Sequence, residues 1–79
     1  MSNTVKVMRS GGKTRNYTDV CGLEYEKKGE NVELEISIAG GESATHDFFV
    51  ETDTLYPGDS AYLVNSHGTT VDMIRVKGQ

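Results

Sequence analysis

The chain has 79 residues, a net charge of −4 and a hydrophobic fraction of 35%, which suits one small domain, residues 1–79, with a modest core. Its lone cysteine, Cys21, excludes an internal disulfide, and Cys21, His46 and His67 have neither the number nor the spacing of a closed zinc site. No stretch approaches the roughly 18 apolar residues of a membrane helix, and the opening MSNTVKVMRSGG has no signal-peptide run; a cytoplasmic chain away from membranes, steadied by self-association, is the expectation.

The dominant hydrophobic period is two. Val5 and Val7 alternate with Lys6 and Met8, SGG makes a turn, and KTRNYTDV returns as a more polar strand suited to an edge. CGLEYE alternates again, with Cys21, Leu23 and Tyr25 on the apolar side. KKGEN turns the chain through Gly29. VELEISI then points Val32, Leu34, Ile36 and Ile38 inward and Glu33, Glu35 and Ser37 outward. Matching apolar faces sets Tyr25 opposite Val32, Leu23 opposite Leu34 and Cys21 opposite Ile36, which puts Glu24 opposite Glu33 outside. After the loop AGGES, the strand ATHDFFVE is expected to bury Ala44, His46, Phe48 and Val50.

TLYPGDSAYLV reads as two strand pieces around a type II turn, with Pro57 and Gly58 at its centre. NSHG suits a type I turn followed by a left-handed glycine. VDMIRV breaks alternation, and a bulge near Met73–Ile74 or a strand buried on both faces explains it. Short strands separated by turn signals indicate an all-β fold: a small, strongly curved antiparallel β-barrel or roll of about six to seven short strands.

The candidate chemistry is sparse. Cys21 is expected to be a core thiol, His46 a hydrogen-bonded residue at the core boundary, and His67 an exposed turn residue. RSGGKT lacks the G-x-x-x-x-G-K-[ST] spacing of a phosphate loop and is followed by a strand pattern rather than a helix. No Ser/His/Asp or Cys/His set converges by spacing, so no enzyme, metal or cofactor is expected. The run GGKTRNYTDV followed by a short alternating strand is similar to small β-proteins of phages and mobile elements, with no motif that names a family.

Charge is partitioned. Residues 1–15 carry four cations and no acid, residues 16–72 carry all twelve acids and two lysines, and residues 73–79 add two cations. Segregated charge favours steered, specific association. The function expected is therefore a non-catalytic protein-interaction or inhibitor-like accessory module. It meets another protein through an acidic face of Glu24, Glu26, Glu33 and Glu35, and a homo-oligomer is one form of such association. The alternative is a nucleic-acid-binding small β-barrel using Lys6, Arg9, Lys13, Arg15, Arg75 and Lys77, with Tyr17 as a stacking ring.

Overall fold

The computed structural model describes residues 3–40 and 48–78. Six strands run β1 (Asn3–Met8), β2 (Thr14–Lys28), β3 (Asn31–Ala39), β4 (Phe48–Leu55), β5 (Ser60–Val64) and β6 (Thr70–Arg75). They form one antiparallel sheet in the order β4-β3-β2-β1-β5-β6. The all-β expectation holds. KTRNYTDV and CGLEYE are one 15-residue strand, not two, and its first part, residues 14–19, pairs only with β1.

The sheet is open: β4 and β6 are its edges, and no pairing joins them. It is nevertheless strongly curved. β4 and β5 stand four strand spacings apart, about 19 Å in a flat sheet. Only Tyr56–Asp59 links them, as a turn whose ends lie within about 7 Å. The amide of Asp59 donates to the carbonyl of Tyr56 at 2.9 Å, and Gly58 has φ 94°, the type II turn expected from Pro-Gly. A Cβ at Gly58 would stand 2.8 Å from Cβ of Ser10, so the turn packs against the β1–β2 hairpin. It is also stitched to the chain after β6 by bonds between Gly58, Asp59 and Val76.

Curvature makes the concave face the core. β1 supplies Val5 and Val7, β2 supplies Tyr17 and Val20, and β3 supplies Leu34 and Ile36; Leu55, Ala61, Ile74 and Val76 complete it. The alternation of β3 was therefore a true guide to burial. The NSHG turn also forms as expected: the Gly68 amide donates to Asn65, Gly68 has φ 82°, and His67 is exposed.

Five further expectations are corrected. Tyr25, expected on the core side, is 53% exposed, because it lies on the part of β2 beyond its pairing with β1. The β2–β3 register is displaced by two residues: Tyr25 pairs with Leu34 and Leu23 with Ile36. The link is a two-residue turn, Gly29–Glu30, with positive φ at Gly29 alone, the II′ arrangement. Cys21 is exposed rather than core, because two bulges flank it. Asp19 adopts φ 57° where the β1 register shifts, and Cys21 is the extra residue where the β3 register shifts. Between the bulges the phase inverts, so Val20 turns in and Cys21 out. On β4, Phe48 and Val50 are 58% and 53% exposed; the concave side takes Phe49, Glu51, Asp53 and Leu55, opposite β3's apolar residues. On β6 the irregularity lies at Val71, leaving Ile74 buried and Met73 outside. Ala44 and His46 lie outside the described residues.

Candidate functional site

Two charged constellations form, one internal and one on the convex face. The internal one centres on Arg9, just after β1. Its Nη2 donates to Asp53 Oδ1 at 2.6 Å, and its Nη1 donates to Asp59 Oδ2 at 2.9 Å and to the Thr54 carbonyl at 2.7 Å. Asp59 is 3% exposed and also accepts the amides of Ser10 and Tyr56. Tyr17 is 6% exposed, and its hydroxyl donates to Asp53 at 2.8 Å. Desolvation pushes both carboxyls up. For Asp53 the Tyr17 hydroxyl, Arg9 and the Thr54 amide outweigh it; for Asp59 the Tyr56 and Ser10 amides and Arg9 do so. Both therefore titrate below the ordinary value of 3.8. Burial, reinforced by Asp53, pushes the Tyr17 phenol up to about 12. The charges answer one another across the cluster, and among the described residues no buried side-chain nitrogen or oxygen lacks a hydrogen-bond partner, the arrangement of a structural network.

This cluster changes the standing of the basic residues. Arg9 is consumed by two carboxylates, and Tyr17 is buried with the Arg15 guanidinium 4.9 Å from its ring centroid. Lys6 and Arg75 lie on the convex side, where Lys6 pairs with Tyr62 and Arg75 with Ser60. Hydrogen bonds with Ser60 and Arg75 pull the Tyr62 phenol down. Lys13 sits in the β1–β2 turn. Lys77 and Arg75 line a cleft with Lys27 at the tip of the β2–β3 hairpin. The structure thus distributes the seven residues over four places, the internal cluster, the convex side, the β1–β2 turn and the cleft, instead of one face.

The acidic residues are brought together. With the corrected register, Glu24 pairs with Glu35 and Glu26 with Glu33, all on the convex face of β2 and β3. Lys28 relieves one pair, lying 3.3 Å from Glu33 and 3.7 Å from Glu26. Glu33 is the main cause of its raised pKa. Among the described residues no cation stands within ion-pair distance of Glu24 or Glu35. The four glutamates and Tyr25 line one shallow concavity. A second adjoins it, lined by Glu24, Glu35 and Ser37 together with Phe48 and Val50 from β4. An unrelieved acidic pair therefore borders an exposed apolar patch.

Sequence reasoning missed the apolar half of this face, because Phe48 and Val50 were expected inside. It also missed the Arg9–Asp53–Asp59–Tyr17 cluster. The one available signal was Asp59 closing a Pro-Gly turn; nothing in spacing ties it to Arg9, 50 residues away. Among the described residues no group of three or more His, Cys, Asp or Glu side chains is placed to hold a metal ion, and no helix is long and apolar enough to cross a membrane. Comparison with known proteins finds no family model, no curated protein and no solved structure that matches the chain.

Proposed function

We propose that this chain is a non-catalytic protein-interaction module whose convex β2–β3–β4 face docks a basic partner. One observation carries the reading: the unrelieved Glu24–Glu35 pair lies beside exposed Phe48 and Val50. Adjacent like charges oppose one another across a sheet, and a cationic, partly apolar partner removes that opposition while covering the apolar surface. An inhibitor-like accessory role follows if the partner's basic surface is itself a working site. The finer architecture we infer is a roll, curved but unclosed. A reducing cytoplasm suits the exposed thiol of Cys21.

The test is a titration of the chain against a labelled lysine- and arginine-rich peptide. Binding is expected, and it weakens with salt because the Debye length shrinks. The double change Glu24→Gln with Glu35→Gln is expected to fold with unchanged or slightly higher stability and to lose binding about tenfold or more. Binding by the double variant equal to that of the parent chain overturns the reading.

The second reading, nucleic-acid binding, keeps one supporting feature: Lys27, Arg75 and Lys77 border one cleft. It requires a mobility shift with oligonucleotides that falls steeply with salt. Arg9 and Tyr17 take no part in it, being engaged with Asp53.

A further inference from the structure

β4 is an edge strand whose only blunting charges are acidic, Glu51 and Asp53 on its concave side. Natural sheet edges are blunted by lysine, proline, bulges or inward-pointing charges. The other edge, β6, has a bulge at Val71 and carries Arg75. β4 has neither proline, lysine nor arginine, and its ladder with β3 runs without a register shift from Ala39–Phe48 to Val32–Leu55.

The orientation of its open backbone groups can be read from Thr54. The Thr54 amide donates to Asp53 Oδ1 and its carbonyl accepts Arg9, so both point away from β3. Orientation alternates along an antiparallel strand, so the amides and carbonyls of Thr52, Val50 and Phe48 face outward as well. The β2–β3 hairpin agrees. Its two-residue turn makes Lys28–Asn31 the closing pair, which turns Glu33 and Glu35 toward β2 and Leu34 and Ile36 toward β4. The groups of Thr54 are occupied; those of Phe48, Val50 and Thr52 have no partner among the described residues and form an open template.

We propose that this edge accepts an extended, lysine- or arginine-bearing strand of the partner protein, paired with Phe48–Thr52 as a seventh strand. The inference rests on the docking face proposed above and specifies how that face is used. Charge selects the occupant. Convex side chains of an added strand stand two spacings, about 10 Å, from β3's Glu33 and Glu35. Only the small Thr52 and Thr54 lie between, so a long cationic side chain reaches over them. On the concave side Glu51 is exposed on the edge strand itself. A second copy of β4 brings Glu51 and another −4 net charge, which opposes self-pairing. Next to Phe48, Phe49 and Val50, the added strand's neighbouring positions are apolar.

The experiment uses a labelled, alternating lysine–valine peptide and the full chain. Thr52→Pro removes an outward amide while leaving β3's ladder donors in place, a substitution that edge strands tolerate. Thr52→Ala controls for the side chain. The expected result is a loss of about tenfold or more for Thr52→Pro and about twofold or less for Thr52→Ala. Independently of the variant's folding, N-methylating the peptide along one edge is expected to abolish binding, and along the other edge to leave it intact. If both N-methyl peptides and Thr52→Pro bind like their parents while Glu24→Gln with Glu35→Gln loses binding, strand addition is overturned and the docking face stands. If the glutamate variant also binds normally, or the peptide does not bind the parent chain, both fall. Sedimentation showing a dimer that Thr52→Pro dissociates, without peptide binding, makes the occupant a second copy and overturns the proposal.

Discussion

At the scale of single residues, Asp59 shows how a turn signal becomes a structural anchor. Pro57 and Gly58 set the turn, and the turn delivers a carboxylate into a place where Ser10, Tyr56 and Arg9 all donate to it. A charge buried to this degree persists only when such partners are present. Asp59→Asn keeps the shape but removes the charge opposite Arg9; a cost of about 2–4 kcal/mol is expected in urea unfolding. The pH dependence has a definite sign. Asp53 and Asp59 have folded-state values below 3.8, so in that range the unfolded chain binds more protons. Their contribution is complete above about 4 and is lost as pH falls through the lowered values. Tyr17 works at the other end. Its value is raised to about 12 from 10.0, so its contribution is whole below 10 and disappears as pH climbs toward 12. Denaturant midpoints across pH should show both flanks in the parent chain, the acid flank weakened in Asp59→Asn and the alkaline flank weakened in Tyr17→Phe. An acid flank of equal size in Asp59→Asn removes Asp59 from this account.

At the scale of elements, β2 decides which side chains meet water. Asp19 takes a left-handed conformation that asparagine and aspartate tolerate better than most residues. Asp19→Gly is expected to leave stability unchanged or to raise it by up to about 1 kcal/mol. Asp19→Val, which resists positive φ, should cost about 1–2 kcal/mol. If the costs of the two changes are equal, the bulge does not depend on Asp19. Cys21 reports the neighbouring bulge chemically: its thiol is exposed and donates only a weak 3.4 Å bond to the Ser37 carbonyl, so it should react with a disulfide reagent within about tenfold of the rate of the unfolded chain. These features explain what the sequence made legible. β3 could be read because Val32, Leu34, Ile36 and Ile38 keep strict phase on one buried face. The Pro-Gly and Ser-His-Gly turns could be read because positive φ calls for glycine. The bulge at Asp19 could not, since no glycine marks it; the one at Cys21 had a mark in Gly22, but the two together reverse Val20 and Cys21 without altering the run's apparent alternation. β4 misled because hydrophobicity ordinarily points inward, whereas here Asp53 holds an inward place through Arg9 and Tyr17, and Phe48 and Val50 take the outside. The acidic face was legible residue by residue, but its pairing was not, because Gly29–Glu30 alone makes the turn.

For the whole molecule, the decisive fact is that an open sheet is held curved by contacts that skip strands. β1 and β4 are three spacings apart, about 14 Å when flat, yet Arg9 binds Asp53 and Asp59 at once. The Tyr56–Asp59 turn ties the same ends through the backbone. The principal extents of 45, 25 and 19 Å fit a long sheet rolled at one end, with the acidic hairpin extending from it. Arg9→Met keeps an apolar stem but strands two carboxylates, one of them buried. Arg9's side chain is 30% exposed, so solvent screens part of the effect, and a cost of about 3 kcal/mol is expected. A chain of this length has about 4–12 kcal/mol in all, so the loss is a large share of stability. Because Arg9 acts on closure, the loss should be spatially uneven in native-state hydrogen exchange. Amides of the 56–59 turn and of Val76 should exchange faster, while those of the β2–β3 hairpin keep their protection until global unfolding. In a double-mutant cycle, Arg9→Met with Asp59→Asn should cost clearly less than the two single changes added together. Strict additivity, or equal acceleration of exchange at every amide, means that the curvature is maintained by the apolar core and the short turn, with Arg9 an incidental contact.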